Sequence, residues 1–484
     1  MKILLIHPPF HDRIFSTYRT EPLSLETIAG GIQNADIKLL DMRFEKTSLK
    51  HTIDCFSPNI VGITGNTVDV PNIKRILKEV KQYNRGIFTI VGGHHATISP
   101  SDFNLPFVDA IVLGMGEVTL KELIEAIDTK HDIHEVKGLA FPNPNGLLYS
   151  STRLFPEDLD LLPLPNRELT KKYRHKYKFL GYPICMITTA KGCPFRCKFC
   201  SIWNEMSGNY ITKSPEKILQ ELECIPQPLV RFADGNTFGH PKRMEKLYEI
   251  IKSNGLKKRF ICDIRSDTVV NNVRLLEKWR EIGLEYLSIG FESINDDQLA
   301  DLNKKVTAEQ NKKAIQILHS NDIKIIGQFI INQSYDKQDF DELLKFVTDN
   351  NIQLTNYTIL TPFPGTPLFD EKKAELITDN YEKFDTYHSI LPTKLDKKEF
   401  YNFYADLFKK TYSLKRYALH HFHRLLSFFK SKKEQRRFIS LYLLVVIKLM
   451  MLIKLKHFRN AYKSIQFSTV SNSSSNDKIL RGNR

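Results

Sequence analysis

Apolar and polar positions fall into two long stretches with one shared rhythm. In the first, apolar runs at 2–7, 37–41, 60–64, 87–91 and 110–113 read as strands. Stretches of helical period at 23–33, 70–82 and 119–127 separate them. Short apolar strands that alternate with helices predict a parallel sheet covered on both faces. Residues 142–167 are rich in Pro, Asn and Leu, show little periodicity and read as a linker. The rhythm then resumes, with strands at 184–190, 229–233, 259–264, 286–291, 323–331 and 355–360. Helices between them include 215–224, 242–253, 273–282, 308–319 and 339–348. Ser214-Pro215-Glu216 is a helix start, with a cap, a proline at the first position and an acid in the first turn. Six strand–helix units make three-quarters of a TIM-like barrel with one side open.

Chemistry enters after the first barrel strand, in the run Lys-Gly-Cys-Pro-Phe-Arg-Cys-Lys-Phe-Cys-Ser. Cys193, Cys197 and Cys200 are spaced C-x3-C-x2-C. Three thiolates this close can wrap one corner of a cubane iron–sulfur cluster. A fourth is missing, so one iron keeps an open position where a substrate or cofactor can bind. Zinc would want four ligands, usually as two Cys/His pairs, and the sequence has no second pair. An electron-carrying cluster would want the fourth thiolate. Disulfides do not suit 7 cysteines without a secretory signal, and the opening run MKILLIHPPF is too short to be one. Cys55, Cys185, Cys224 and Cys262 are scattered singly and read as core or neutral thiols.

Other polar residues sit at strand ends, where α/β folds bind ligands. In the first stretch these are Thr64, Gly92-Gly93-His94-His95 and Gly114-Met115-Gly116-Glu117. Glycine there lets a ligand approach the backbone. No G-x-G-x-x-G follows the first strand, which weakens a dinucleotide reading. The barrel ends carry Asp234-Gly235-Asn236, Arg265-Ser266, and Glu292 within Ser-Ile-Gly-Phe-Glu-Ser. Asp-Gly-Asn is also good turn chemistry, and Arg265 suits either a ligand carboxylate or an internal acid. Gln328 either lines the barrel lumen or is a satisfied buried amide. His94 and His95 line a pocket or cap the next helix.

A chain of 484 residues implies two or three domains. Its net charge of +15 is concentrated at one end. From Lys409 onward 18 Lys and Arg face 2 acids, which leaves residues 1–408 at −1. A neutral body argues against nucleic-acid binding. Residues 401–429 and 436–458 read as basic, apolar helices, and 468–476 as disordered. Lys448 interrupts the apolar run of 438–453, which falls short of the roughly 20 residues of a spanning helix. The pattern fits a helix lying on an anionic membrane surface, or a helical domain packed on the barrel with a basic outer face.

The cysteine run, with Phe199 before its last cysteine, resembles the radical S-adenosylmethionine (SAM) superfamily. The first 370 residues resemble its cobalamin-binding class, which includes the anaerobic magnesium-protoporphyrin ester cyclases and hopanoid-lipid enzymes. The matching pieces are Pro8-Pro9, Val61-Gly62-Ile63-Thr64, Val91-Gly92-Gly93-His94-His95-Ala96-Thr97 and Gly114-Met115-Gly116-Glu117. The resemblance implies an α/β chain with a Rossmann-like cobalamin-binding domain (1–140), a linker (141–180) and a partial (βα)6 TIM-like barrel (181–370). A helical basic C-terminal region with a disordered tail (371–484) follows. It implies a [4Fe-4S] cluster on Cys193, Cys197 and Cys200, and SAM contacts from Phe199, Asp234, Asn236, Arg265 and Glu292. Cobalamin contacts would come from Thr64, Gly92, Gly93, His94, Gly114, Gly116 and Glu117. The implied activity is reductive cleavage of SAM and modification of an unactivated carbon of an apolar or lipid substrate. Cobalamin-dependent methyl transfer is one route; cyclisation or carbon–carbon bond formation on a lipid or tetrapyrrole is the other. A cobalamin- or cluster-based sensor without turnover is the non-enzymatic reading. The implied partners are an electron donor such as flavodoxin or ferredoxin and, through the tail, a membrane, with no nucleic acid; the implied location is cytoplasmic, at the inner face of the membrane. One departure stands out. The D-x-H-x-x-G signature is absent, and neither Asp41-Met42-Arg43 nor His11-Asp12 fits it.

Overall fold

The computed structural model describes residues 1–9, 18–154, 158–352 and 354–412. The chain opens with β1 (Lys2–His7), whose Ile3–Ile6 are buried, as a strand covered on both faces requires. β2 (Tyr18–Arg19) leaves for another sheet. Then follow α1 (Leu23–Gly31), β3 (Asp36–Asp41), α2 (Leu49–Phe56), β4 (Ile60–Thr64), α3 (Val70–Tyr83), β5 (Phe88–Gly92), α4 (His94–Ile98), β6 (Ala110–Val112) and α5 (Gly116–Thr129). β7 (Leu139–Phe141) and β8 (Leu148–Tyr149) complete the first sheet, in the order β3-β1-β4-β5-β6-β7-β8. Its first five strands are parallel; β7 and β8 are antiparallel. Leu5, Ile90 and Val112 face α1 and α5, while Leu4, Ile6, Val61 and Ile63 face α2 and α3. β1 has β3 on one side and β4 on the other, so the strand order reverses at its tip. That is where an open α/β sheet forms its ligand crevice.

The second sheet contains β9 (Lys178–Phe179) and β10 (Tyr182–Ile187). A hairpin of β11 (Ala190–Gly192) and β12 (Tyr210–Thr212) encloses α6 (Ile202–Glu205) and the three motif cysteines. The repeating units are α7 (Pro215–Glu223), β13 (Leu229–Phe232), α8 (Pro241–Ser253), β14 (Arg259–Ile264), α9 (Ser266–Asn271), α10 (Val273–Glu281), β15 (Leu284–Glu292), α11 (Asp296–Asp301), α12 (Ala308–Ser320), β16 (Lys324–Ile331), α13 (Lys337–Asp349) and β17 (Leu354–Ile359). α14 (Pro367–Lys372) and α15 (Lys397–Thr411) finish the described chain. The strand order is β17-β16-β15-β14-β13-β10-β9-β2, a curled half-barrel of six parallel strands with an antiparallel pair at one edge. Phe179, Ile184, Leu229, Ile261, Tyr286 and Ile326 form an apolar cluster within it.

All six expected barrel strands are present. Several elements were not expected, among them α2, β2, β7 and β8. α2 is eight residues long, and only Leu49, Thr52 and Ile53 are buried, too few to show a helical period. β7 and β8 carry the first sheet to Tyr149, past residue 140. β2 is two residues long and lies far in sequence from its partner β9. The basic stretch from 413 onward lies outside the described residues; it holds most of the helix expected over 401–429 and all of 436–458 and 468–476. No helix among the described residues is long and apolar enough to cross a membrane.

β17 has no strand on its outer side, and β10 has β9 beside it only at Tyr182 and Pro183; other groups cover the rest of both edges. On β17, Tyr412 Oη accepts from Thr355 N (3.0 Å) and donates to Thr355 O (2.7 Å). Tyr404 Oη donates to Tyr357 O at 2.7 Å, and Thr386 O accepts from Ile359 N at 2.7 Å. On β10, Met186 N donates to Glu21 Oε1 at 2.6 Å, and Arg167 Nη2 donates to Met186 O at 2.8 Å. Arg167 also reaches Glu26 and Glu221, and Lys213 pairs with Glu221 at 2.7 Å. Burial, and then the charge of Glu21, push the Glu26 carboxyl up to about 7.

Arg167→Met leaves three buried carboxylates short of a cation. It should cost about 3–5 kcal/mol in urea unfolding, whereas Tyr412→Phe should cost about 1–3 kcal/mol. Glu26 holds its proton more tightly when folded than when unfolded. Stability should therefore fall as pH rises from 4.5 to about 7 and level off above. Glu26→Gln should remove that component from a series of melts across pH.

Candidate active site between the two sheets

The cysteine loop is pinned from three sides. Lys198 N donates to Leu302 O (3.0 Å), Leu368 N to Lys198 O (3.1 Å) and Asn303 Nδ2 to Arg196 O (2.7 Å). Trp203 Nε1 donates to Cys197 O at 3.0 Å, and the Asn204 side chain donates to Gly365 O. Gly192 enters the loop at φ 81°, where a Cβ would run into the Asn209 carbonyl, so only glycine fits. Cys197 is buried, and Cys193 and Cys200 are partly exposed. Burial lifts Cys200 to about 11 and raises Cys197; Cys193 adds to both shifts, and Cys197 to that of Cys200. The three sulfurs therefore lie within electrostatic reach of one another, and metal would have to displace their protons. Among the described residues, no three His, Cys, Asp or Glu side chains stand as a ligand set for a single ion. A cubane places each thiolate on a different iron, so its ligands stand further apart than those of one ion. Phe199 packs against Leu302, Ile330, Leu360 and Leu368.

The barrel tips beside this loop hold the other expected residues. Both Asp234 oxygens are engaged, accepting from Thr189 N (2.7 Å), Thr189 Oγ1 (2.6 Å) and Ala190 N (3.0 Å). They hold the chain that leads into the cysteine hairpin. Asn236 bonds Thr268 Oγ1 and accepts from Arg265 N. Arg265 lies 3.5 Å over the Phe195 ring, pairs with Asp267, and brings Nη1 to 3.9 Å from Cys197 Sγ. Glu292 takes φ 61°, an uncommon conformation for a non-glycine residue, beside an irregularity in the β15–β16 register. Its carboxylate is paired with Lys304 Nζ at 2.7 Å, and both groups are buried. Lys304 had no signal in the sequence, because Leu-Asn-Lys-Lys-Val has no motif or periodicity.

A cavity of about 600 Å³ lies between the C-terminal strand tips of the first sheet and the cysteine hairpin. Thr64, Gly92, Gly93, His94, Gly114, Gly116 and Glu117 all line it. His95 does not: it is fully buried between Thr67 and Asp102. One arm of the cavity reaches between α1 and α5 over Leu5, Gly62, Ile90 and Val112. Cβ atoms at Gly62 and Gly116 would press on Leu5 and Ile28, so these glycines keep the arm open. Two contacts cross the cavity, the ion pair of Glu117 with Lys191 and that of His94 Nδ1 with Glu205 Oε2 at 2.9 Å, which is an ion pair only when the ring is protonated. His7 lines it too, and burial, then the Arg43 charge, hold its pKa down at about 4. The glycine-lined arm and strand tips fit cobalamin, and the open-cornered thiol triplet fits a [4Fe-4S] cluster.

Comparison with known proteins agrees with this geometry. Residues 187–347 match the model of the Radical SAM superfamily, and residues 15–124 match that of the B12 binding domain. The chain is 30% identical over 412 residues to the hopanoid C-3 methylase of Methylococcus capsulatus, covering 83% of this chain and 78% of that one. It is 29% identical over 418 residues to the anaerobic magnesium-protoporphyrin IX monomethyl ester cyclase of Rubrivivax gelatinosus, covering 82% and 75%. The fold is similar to the cobalamin-dependent S-adenosylmethionine radical enzyme OxsB with aqua-cobalamin and S-adenosylmethionine bound. There the TM-score is 0.69 at 18% identity, with 100% of this chain and 82% of that chain covered. It is also similar to the radical S-adenosylmethionine methyltransferase TsrM of Kitasatospora setae with cobalamin and a [4Fe-4S] cluster bound. That TM-score is 0.66 at 14% identity, with 84% and 88% covered. The chain thus belongs to the radical SAM superfamily, in the class that carries a cobalamin-binding domain ahead of the barrel.

Proposed function

We propose that this radical SAM enzyme transfers a methyl group to an unactivated carbon of an apolar substrate held between the two sheets. The observation that carries this reading is the cavity. Its glycine-lined crevice faces the cysteine hairpin across Met115, Leu159, Leu162 and Met206, which cluster together. Such walls suit a ligand with few groups to hydrogen-bond. When bound, the cluster supplies the electron that splits SAM and cobalamin supplies a carrier for the methyl group.

The chain's own residues would act as follows. Cys193, Cys197 and Cys200 each hold one iron and leave the fourth to SAM. Arg265 and Lys304 place two cations beside the thiolates and offset their charge. Asn236, Arg265 and Glu292 line the SAM site, with Phe199 behind it. Asp234 acts through Thr189 and Ala190, fixing the hairpin rather than touching SAM. Thr64, Gly92, Gly93, His94, Gly114, Gly116 and Glu117 receive cobalamin. A flavodoxin or ferredoxin supplies the electron, and the basic segment from Lys409 onward rests on an anionic membrane surface that holds the substrate. The methylase among the relatives favours a polycyclic lipid; the ester cyclase keeps ring closure on a tetrapyrrole as the second reading.

Anaerobic reconstitution with cobalamin, trideuteromethyl-labelled SAM, a reductant and host lipid extract tests this. Methyl transfer should give one labelled methyl per product, with 5′-deoxyadenosine and S-adenosylhomocysteine in equal amounts. Cyclisation would give deoxyadenosine without the homocysteine. No deoxyadenosine at all would refute both and leave the sensor. Gly116→Leu should fill the arm between α1 and α5 and weaken cobalamin retention about 10- to 100-fold. Iron content should be unchanged in that variant. Cys197→Ala should lose the cluster and keep the cobalamin.

A further inference from the structure

We infer that His7 is a nitrogen ligand to cobalt, with Nε2 as the donor atom. The inference rests on cobalamin occupying the cavity described above. His7 is the last residue of β1, at the point where the strand order reverses. Side chains alternate along β1, so His7 shares a face with Leu5. Leu5 lines the arm between α1 and α5, and His7 lines the cavity above it.

The state of the ring follows from one contact. His7 Nδ1 lies 2.9 Å from Pro8 O. A carbonyl oxygen can only accept, so Nδ1 carries the hydrogen and the neutral ring keeps its lone pair on Nε2. Among the described residues, Pro8 is the only hydrogen-bond partner recorded for His7. A histidine that lines a cavity and whose Nδ1–H is fixed by a backbone carbonyl is set up as a metal ligand through Nε2. Its surroundings are rigid. Arg43 is held by both Asp41 oxygens and by Thr20 O, and Asp69 caps the turn at Asn66.

The arm below sets the geometry. It is walled by Leu5, Ile28, Ile90, Val112 and Leu120 and kept clear by Gly62 and Gly116. It suits a flat heterocycle, and cobalamin carries one on its nucleotide tail. A base drawn into this arm cannot also reach cobalt, which leaves the lower axial position to the imidazole at the tip of β1. His94 is less suited. Its Nδ1 is tied to Glu205 on the cysteine hairpin, which places it on the side from which SAM and substrate approach.

Electron paramagnetic resonance of the full-length protein loaded with cob(II)alamin tests this without any substrate. Cobalt lines split threefold by one 14N are expected, collapsing to twofold in protein grown with imidazole-15N histidine. The splitting should vanish in His7→Ala and persist in His94→Gln. Unsplit lines in the wild type would overturn the inference. So would a threefold pattern in labelled protein, which means the cofactor's own base is bound. A twofold pattern that survives in labelled His7→Ala assigns another histidine and overturns it too. Labelled wild type decides between protein and cofactor nitrogen even if the variant does not fold. A wild type that retains no cobalamin on gel filtration would instead remove the cofactor reading, and this inference with it.

Discussion

Six parallel strands that curl without closing leave backbone N–H and C=O groups with no strand to meet them along β17 and along β10 beyond Pro183. Each such group costs about 1–3 kcal/mol if buried unpaired, and an uncovered edge invites pairing with another chain. The β17 edge is covered from downstream, by Tyr404, Tyr412 and the Thr386 carbonyl. The β10 edge is covered from upstream, by Glu21 of the first sheet's chain and by Arg167 of the connector. The second cover fixes the position of the first sheet. Its strand tips must come to the open side of the half-barrel, and the cavity is the space left between. The charges that do this are buried, so they match closely: Arg167 and Lys213 against Glu21, Glu26 and Glu221, with Glu26 protonated up to about pH 7.

The cysteine hairpin is fixed in the same way. Little of it is regular structure, so its backbone groups find partners on other elements. Those partners come from the segment after α11, through Leu302 and Asn303, and from the proline-stiffened run that leads into α14, through Gly365 and Leu368. The run Thr361–Leu368, stiffened by Pro362, Pro364 and Pro367, thus serves as an anchor for the loop. Phe199 completes the attachment by packing on Leu302, Leu360 and Leu368.

How much of this was legible depends on the range of the signal. Parallel strands buried on both faces are largely apolar, so all eleven, five in the first sheet and six in the barrel, could be read directly. The three cysteines lie within eight residues and needed no fold to be seen. The seven glycines and polar residues at the first sheet's tips were read as one group because strand ends of a parallel sheet converge. What stayed hidden is what three dimensions bring together. Lys304 meets Glu292, Lys191 meets Glu117, and Glu205 meets His94 across 12, 74 and 111 positions of sequence. Asp234 reads as a ligand contact because a carboxylate at a strand tip is rarely idle; its partners in the structure are backbone and hydroxyl groups of Thr189 and Ala190, where β10 leads into β11.

β2 is only Tyr18 and Arg19, yet it adds an outer strand to the half-barrel sheet by pairing with β9. A piece of the N-terminal third is therefore woven into the C-terminal sheet. Such a chain cannot be recombined by cutting between its halves. A gene fragment that began at the connector would lack both this strand and Glu21, so the two parts should be inherited, expressed and swapped among homologues only as one unit.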